Sequence, residues 1–223
     1  MVRWVPMESN PDVWNKFLKE MGVSGAWEFT DVFGLVPELL MMVPQPVAAV
    51  ILLYPISENT EKLGKEKLEG TKEVSDNVFF MRQTVGNACG TVGILHSLLN
   101  NSHVISIGET LTKFQSDCST VDATERAALL ENSDVIASKH AAAASSGQTA
   151  APSADEKITL HFVAFVSVDG AMYELDGRKP NAVSWGPCQS DELLSKAAVA
   201  CQRYMACDPQ EMRFTVVALS KTD

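Results

Sequence analysis

A cysteine stands between small residues in the stretch QTVGNACG, which runs from Gln83 to Gly90. The apolar run TVGILHSLL follows directly, so Cys89 falls at the start of a predicted helix. We expect Asn87 to cap that helix and to place Cys89 in its first turn. Free N–H groups and the positive end of the helix dipole lower the pKa of a thiol there. The position therefore suits a reactive thiolate better than a thiol kept for packing.

A histidine and a carboxylate are brought together by a predicted hairpin in ITLHFVAFVSVDGAMYELDGR. Its Asp-Gly pair is a strong two-residue turn, which places Val168 opposite Ala171. In that register His161 and Asp176 lie on one face as diagonal neighbours, about 7–8 Å apart at the backbone. A histidine takes the proton of a thiol, and a carboxylate fixes the tautomer of the histidine. Cys89, His161 and Asp176 are therefore candidates for a thiol-activating set.

Gln83 lies six residues before Cys89, at the end of a strand predicted for NVFFMRQ. Its amide is placed to donate to the oxygen of a tetrahedral intermediate, together with the Cys89 backbone N–H. Each candidate also has a purely structural interpretation: a packed thiol, a core histidine, a turn aspartate and a surface glutamine. Taken singly the structural interpretations are favoured, whereas for the ordered set the two are about equally supported.

The remaining cysteines and histidines lack this setting. An odd total of five cysteines without a C-x-x-C pair argues against a disulfide framework or a zinc cluster. Cysteines without a disulfide framework indicate a reducing compartment, and we expect the cytoplasm and also the nucleus. Cys201 falls within a predicted helix, and Cys188 follows a proline. His96 lies too far along the Cys89 helix, His103 lies in a polar turn, and His140 lies in the predicted mobile loop.

Charge and hydropathy limit the classes of partner that the protein is expected to bind. The chain has 223 residues and a net charge of −10, and such a surface repels phosphate backbones, so we expect no nucleic acid partner. A basic protein tail fits this charge, although acidity that serves only solubility fits it equally well. The most apolar stretch, Val47 to Ile56, is too short to span a bilayer, and the N-terminus does not resemble a signal peptide, so no membrane partner is expected.

Several other elements can be predicted. A first helix begins after Asn10 with a proline in its first turn and closes at Gly22, and a later helix begins with a capping box of Asp122 and Glu125. The stretches VAAVILLY and RFTVVALS predict strands, and SDELLSKAAVACQRYM predicts a helix. The segment from Ser138 to Glu156 has eleven alanines and serines among 19 residues, which favours a mobile loop, although its alanines also permit a short helix.

Four segments together resemble the small single-domain ubiquitin carboxyl-terminal hydrolases: RWVPMESNPDVWNKFLKEMG, VPELLMMVPQPVAAVILLYPI, MRQTVGNACGTVGILHSLLNN and LHFVAFVSVDGAMYELDGRKP. The resemblance extends from Arg3 to about Leu219. It implies that Cys89 is the nucleophile, His161 the general base and acid, Asp176 the acid that orients the histidine, and Gln83 the oxyanion-stabilising residue.

The resemblance also implies a fold, which is a papain-like α/β cysteine-hydrolase fold with a central antiparallel sheet flanked by helices and a knotted backbone. It implies one catalytic domain over residues 1–223, a crossover loop at about 138–156, and no metal or organic cofactor.

The activity implied is thiol-dependent cleavage of small or unfolded leaving groups from the C-terminal glycine of ubiquitin, and of ubiquitin-like modifiers, by a monomer. Val5, Pro6 and Met7 are expected to contact the body of ubiquitin, and Glu8 and Asp31 to bind its arginine-rich tail. A protein that mainly holds free ubiquitin is an alternative, and an unrelated papain-like acyltransferase is a third.

Overall fold

A six-stranded sheet forms the centre of the protein. The computed structural model describes residues 2–149, 152–153, 156 and 158–222. Each strand pair is antiparallel, and the spatial order is β1-β6-β2-β3-β4-β5. The strands are β1 (Trp27–Asp31), β2 (Val47–Pro55), β3 (Leu160–Val168), β4 (Ala171–Leu175), β5 (Val183–Pro187) and β6 (Thr215–Lys221). The predicted α/β fold with a central antiparallel sheet is confirmed.

Helices cover both faces of the sheet and create two cores. The helices are α1 (Pro11–Glu20), α2 (Pro37–Leu40), α3 (Glu58–Gly70), α4 (Cys89–Leu99), α5 (Gly108–Cys118), α6 (Ala123–Glu131), α7 (Asp134–Ala144) and α8 (Leu193–Cys207), with a 3₁₀ turn at Ser190–Glu192. On β2, Ala49 and Ile51 join the core under α4, whereas Val50 and Leu52 join the core under α8. Burial on both faces explains why β2 is an unbroken apolar run.

The predicted helix starts follow the expected capping chemistry. The side chain of Asn10 accepts a hydrogen bond from the backbone N–H of Asp12 at 2.9 Å, and Gly22 follows the end of α1 with φ +80°. At α6, Asp122 and Glu125 form the reciprocal capping box that the sequence predicts.

The hairpin between β3 and β4 has the predicted register. Val168 pairs with Ala171, and Ala164 pairs with Leu175. The two turn residues, Asp169 and Gly170, have φ of +50° and +75°. Two successive left-handed residues are what a two-residue hairpin turn requires, and Asp-Gly supplies them at low cost.

The strand predicted for residues 77–83 is wrong. These residues lie in the described part of the chain and form an irregular segment outside the sheet. The Asn100 amide accepts from the Phe79 N–H at 2.8 Å and donates to the Phe79 carbonyl at 2.9 Å, and the His96 ring accepts from the Met81 N–H at 3.1 Å. Side chains of α4 and of the residue after it therefore satisfy backbone groups that a sheet would otherwise pair.

The mobile loop predicted for 138–156 is wrong at its start, where the alternative of a short alanine-rich helix is confirmed. Residues 138–144 belong to α7, and the residues of α7 buried in the fold include Ile136 and His140. Alanine has the highest helix propensity, and these two larger side chains supply the anchor that composition did not reveal. Residues 150, 151, 154 and 155 of the predicted loop lie outside the described residues.

The single domain and the backbone knot implied by the resemblance stay predictions. Within the described ranges, no helix is both long and apolar enough to cross a membrane.

Candidate active site

Cys89 begins α4, the helix that packs on β3 and β2. The prediction that Asn87 caps this helix is wrong, because Ala88 is the N-cap residue and Asn87 takes a left-handed φ of +62°. The Asn87 side chain instead donates to the Trp4 carbonyl at 3.2 Å. This hydrogen bond holds the N-terminal segment around Trp4 against the residues that precede α4. Cys89 stays in the first turn, where backbone N–H groups lack partners within the helix.

His161 and Asp176 meet at the edge of the hairpin, as its register predicts. His161 Nε2 lies 2.6 Å from Asp176 Oδ1, and both side chains are buried. The same carboxylate oxygen accepts from the backbone N–H of Arg178 at 2.9 Å. The Tyr54 ring stands edge-on to the imidazole, with 5.9 Å between ring centroids. These contacts hold the imidazole by its Nε2 side, and the ring also interacts with Cys89, which helps to raise the pKa of the imidazole.

Electrostatics favour a charged Cys89–His161 pair. Burial alone would raise the pKa of the Cys89 thiol, but the hydrogen bond and the positive charge of His161 lower that pKa below its ordinary value. Burial alone would lower the pKa of His161, but the charge and hydrogen bond of Asp176 raise it to about 9. Burial opposes ionisation of Asp176 as well, yet His161 holds the pKa of this carboxyl well below its usual range. The arrangement is suited to a thiolate beside an imidazolium.

Gln83 faces the same cavity as Cys89 with its amide in a fixed orientation. Its Nε2 donates to the Val85 carbonyl at 3.1 Å. A carbonyl only accepts, so this contact selects the nitrogen end of the amide and leaves its second N–H for another acceptor. Among the described residues, Gln83 Oε1 is buried without a hydrogen-bond partner. The amide is thus placed to donate to an oxygen beside Cys89.

A cavity of about 350 Å³ surrounds these side chains. Its lining comprises Pro6, Met7, Glu8, Ser9, Leu53, Ile56, Gln83, Asn87, Cys89, Ala144, Thr149, Pro152, Ile158, Leu160, His161, Phe162 and Arg178. Of the predicted ubiquitin contacts, Pro6, Met7 and Glu8 are therefore at the cavity. Val5 is outside the lining, and its carbonyl bonds to the His140 ring at 2.7 Å. Asp31 ends β1 outside the lining, where burial and the neighbouring charge of Asp12 raise its pKa.

Among the residues that sequence reasoning did not assign to the site are Val85 and Arg178. Nothing in the sequence around Val85 indicates that its carbonyl orients an amide. Arg178 had a signal, because the hairpin register continued by three positions places it opposite His161. Its guanidinium forms a two-bond ion pair with Glu61, at 2.8 and 3.1 Å.

The fold and this site are those of a cysteine-type hydrolase, and the relatives of the chain make the assignment specific. The sequence profile of "Ubiquitin carboxyl-terminal hydrolase, family 1" matches residues 4–206. The chain belongs to this family, and it is a cysteine-type ubiquitin hydrolase.

Three relatives match along nearly the whole chain. A probable ubiquitin carboxyl-terminal hydrolase of Dictyostelium discoideum is 45% identical, and the match covers 98% of this chain and 88% of that protein. A ubiquitin carboxyl-terminal hydrolase of Drosophila melanogaster is 42% identical, with 99% and 98% covered. The human ubiquitin carboxyl-terminal hydrolase isozyme L1 is 41% identical, with 97% of each chain covered.

A solved structure shares the fold. The catalytic domain of Trichinella spiralis UCH37, bound to ubiquitin vinyl methyl ester, superposes with a TM-score of 0.79 at 25% identity. The superposition covers 98% of this chain and 96% of that one.

Proposed function

We propose that Cys89 is the nucleophile of this hydrolase, His161 its general base and acid, and Asp176 the residue that orients His161. The observation that carries the proposal is the buried imidazole that lies 2.6 Å from Asp176 and lowers the pKa of the Cys89 thiol. The four remaining cysteines have no such partner set among the described residues, and burial raises the pKa of each of their thiols.

The proposed reaction divides into two acyl transfers. The Cys89 thiolate attacks the carbonyl carbon of the C-terminal glycine of ubiquitin, and the carbonyl oxygen becomes an oxyanion. The free N–H of Gln83 and the Cys89 backbone N–H donate to that oxyanion. His161 gives its proton to the leaving amine or alcohol, which departs and leaves a thioester. His161 then takes a proton from water, and the resulting hydroxide attacks the thioester. Collapse of this intermediate expels the Cys89 thiolate beside the imidazolium and releases ubiquitin, whose new carboxylic acid gives its proton to solvent.

Small or unfolded leaving groups are the proposed substrates, on ubiquitin and also on ubiquitin-like modifiers. The segment between α7 and β3 supports this size limit, because it contributes Thr149, Pro152 and Ile158 to the cavity lining. A segment tethered at both ends beside the nucleophile restricts what passes beneath it. A folded protein is then excluded, whereas an extended peptide is admitted.

Ubiquitin binding is proposed to use the N-terminal segment. Met7 is buried against the core, and Pro6 and Glu8 border the cavity. Val5 and Asp31 lie outside the lining of the cavity. The acidic surface, with a net charge of −10, supports attraction of a basic tail rather than of nucleic acid. We propose that the enzyme acts as a cytoplasmic and nuclear monomer.

The test is a matched pair of cysteine variants. Cys89→Ser should fold and lose hydrolysis of a fluorogenic amide on the C-terminus of ubiquitin, because an alcohol is far less ionised than a positioned thiol. Cys207→Ser, at a half-buried cysteine elsewhere, should retain turnover. Retained activity in folded Cys89→Ser would refute the assignment. Slow wild-type turnover with tight ubiquitin binding would instead favour a protein that mainly holds ubiquitin.

A further inference from the structure

One turn contains Asp176, the acid of the site, and contacts Gln83, the proposed oxyanion residue. It runs from Asp176 to Lys179 and is closed by the Lys179 N–H donating to the Asp176 carbonyl at 2.9 Å. Its first residue binds His161, and the carbonyl of its second residue, Gly177, accepts from the Gln83 N–H at 2.9 Å. The proposed mechanism gives the turn no part beyond Asp176.

Gly177 touches Gln83 so closely that a side chain has no room. A Cβ on Gly177 would lie 2.8 Å from Gln83 Cβ, 3.1 Å from Gln83 N and 3.2 Å from Val92 Cγ1. The backbone of Gly177 is outside the left-handed region, so the requirement for glycine here is space and not conformation. Any larger residue must push the segment that carries Gln83 away from the turn.

The far end of the turn is anchored in the core under α8. Lys179 forms an ion pair with Glu174, a fully buried residue of β4. Glu174 also accepts from the Tyr204 hydroxyl and from the Trp185 indole, each at 2.9 Å. Such a paired and hydrogen-bonded buried carboxylate holds its partners in one arrangement, and removal of one charge leaves the other uncompensated. Lys179 therefore fixes the C-terminal end of the turn, while Gly177 contacts Gln83.

We propose that the Asp176–Lys179 turn sets the distance between the oxyanion amide and the thiol–imidazole pair, with Gly177 as the positioning residue and Glu174–Lys179 as the anchor. The inference rests on the proposed function, since it assumes that Gln83 stabilises the oxyanion. Gly177 is not among the residues that line the cavity, so we assign it an action through the placement of Gln83.

The test is Gly177→Ala, measured with the fluorogenic ubiquitin amide. Displacement of catalytic groups by about 1 Å can cost roughly 100-fold, so we expect kcat to fall by about tenfold or more while KM changes by less than about threefold. Gly70→Ala is the matched control, because Gly70 ends α3 with no atom within 4 Å of an added Cβ. Its kcat should equal that of wild type.

A double-mutant cycle separates positioning from a general loss of folded protein. In a Gln83→Ala background the amide is already absent, so Gly177→Ala should cost less than about threefold in kcat. An equal loss in both backgrounds, an effect confined to KM, or wild-type kcat in Gly177→Ala would overturn the inference. A wild-type enzyme that does not hydrolyse the amide at all would instead overturn the proposed function.

If Gly177→Ala does not fold, Lys179→Met disturbs the same turn from its anchored end. It should lower kcat and spare KM, Lys179→Arg should restore kcat, and Lys113→Met, at an exposed ion pair of α5, should match wild type. A Lys179→Met enzyme with wild-type kcat, or with the same loss in the Gln83→Ala background, would overturn the inference.

Discussion

His161 is the residue through which the site is coupled, because its ring is shared between Cys89 and Asp176. The buried carboxylate raises the pKa of the ring, and the charged ring in turn lowers the pKa of the thiol. His96 shows the contrast. It is buried in α4 and has no hydrogen bond to a carboxylate among the described residues, and burial lowers its pKa to about 4 although the charge of Asp176 opposes the shift. The carboxylate partner, and not burial, separates an acid–base histidine from a structural one.

The pH dependence of kcat/KM tests this coupling. His161 is charged below its raised pKa, so activity that needs its proton should be present at neutral pH and fall as pH rises through about 9. On the acid side activity should fall as the thiolate is protonated, at a pH below that of an ordinary thiol. Asp176→Asn removes the stabilising charge, so the alkaline limb should move to lower pH. Profiles for the fluorogenic ubiquitin amide that keep the same alkaline limb in both enzymes would contradict the coupling.

At the scale of elements, local chemistry was readable from the sequence and long-range pairing was not. The β3–β4 register followed from Asp169-Gly170 alone, and it correctly brought His161 to Asp176. Residues 77–83 have the composition of a strand, but distant side chains of α4 and its C-cap take up their backbone groups. The role of His140 was equally hidden, because its partners lie far away along the chain.

His140 should stabilise α7 against the N-terminal segment. Its ring bonds to the Thr91 hydroxyl and to the Val5 carbonyl, each at 2.7 Å, and burial lowers its pKa to about 4, so it is neutral at physiological pH. His140→Leu leaves the buried Thr91 hydroxyl and the part-buried Val5 carbonyl without the ring as a partner. A buried group left without a partner costs about 1–3 kcal/mol, and the part-buried carbonyl costs less because water can reach it. We therefore expect the free energy of unfolding in urea to fall by roughly 2–4 kcal/mol. His103→Leu, at an exposed histidine, is the control, and equal stabilities would refute this role.

At the scale of the whole molecule, the site lies where three parts of the chain meet: the start of α4, the edge of the β3–β4 hairpin and the N-terminal segment. The segment between α7 and β3 borders the same cavity and is fastened near its start. Glu8 accepts from the Thr149 N–H at 3.2 Å and from its hydroxyl at 3.1 Å, and a Cβ on Gly147 would collide with the Glu8 carboxylate. A change in the length of this segment is therefore best made after Thr149.

Insertion of a Gly/Ser stretch between Pro152 and Ser153 should widen the range of leaving groups. Doubling a flexible loop costs only about 0.6 kcal/mol, so the fold and the cleavage of small ubiquitin amides should be retained. Cleavage of ubiquitin joined to ubiquitin should become faster. The measurement is the ratio of diubiquitin to fluorogenic-amide rates before and after insertion, in variants with matched thermal unfolding. An unchanged ratio would show that this segment does not set leaving-group size.

The central claim is that Cys89 attacks the C-terminal carbonyl of ubiquitin. Ubiquitin that carries a C-terminal vinyl methyl ester traps an attacking thiolate as a stable adduct, and tryptic mass spectrometry then identifies the modified residue. We expect one adduct per protein, on Cys89, and none in folded Cys89→Ser. An adduct on Cys207 or on another of the remaining cysteines, or no adduct with folded wild-type protein, would contradict the account.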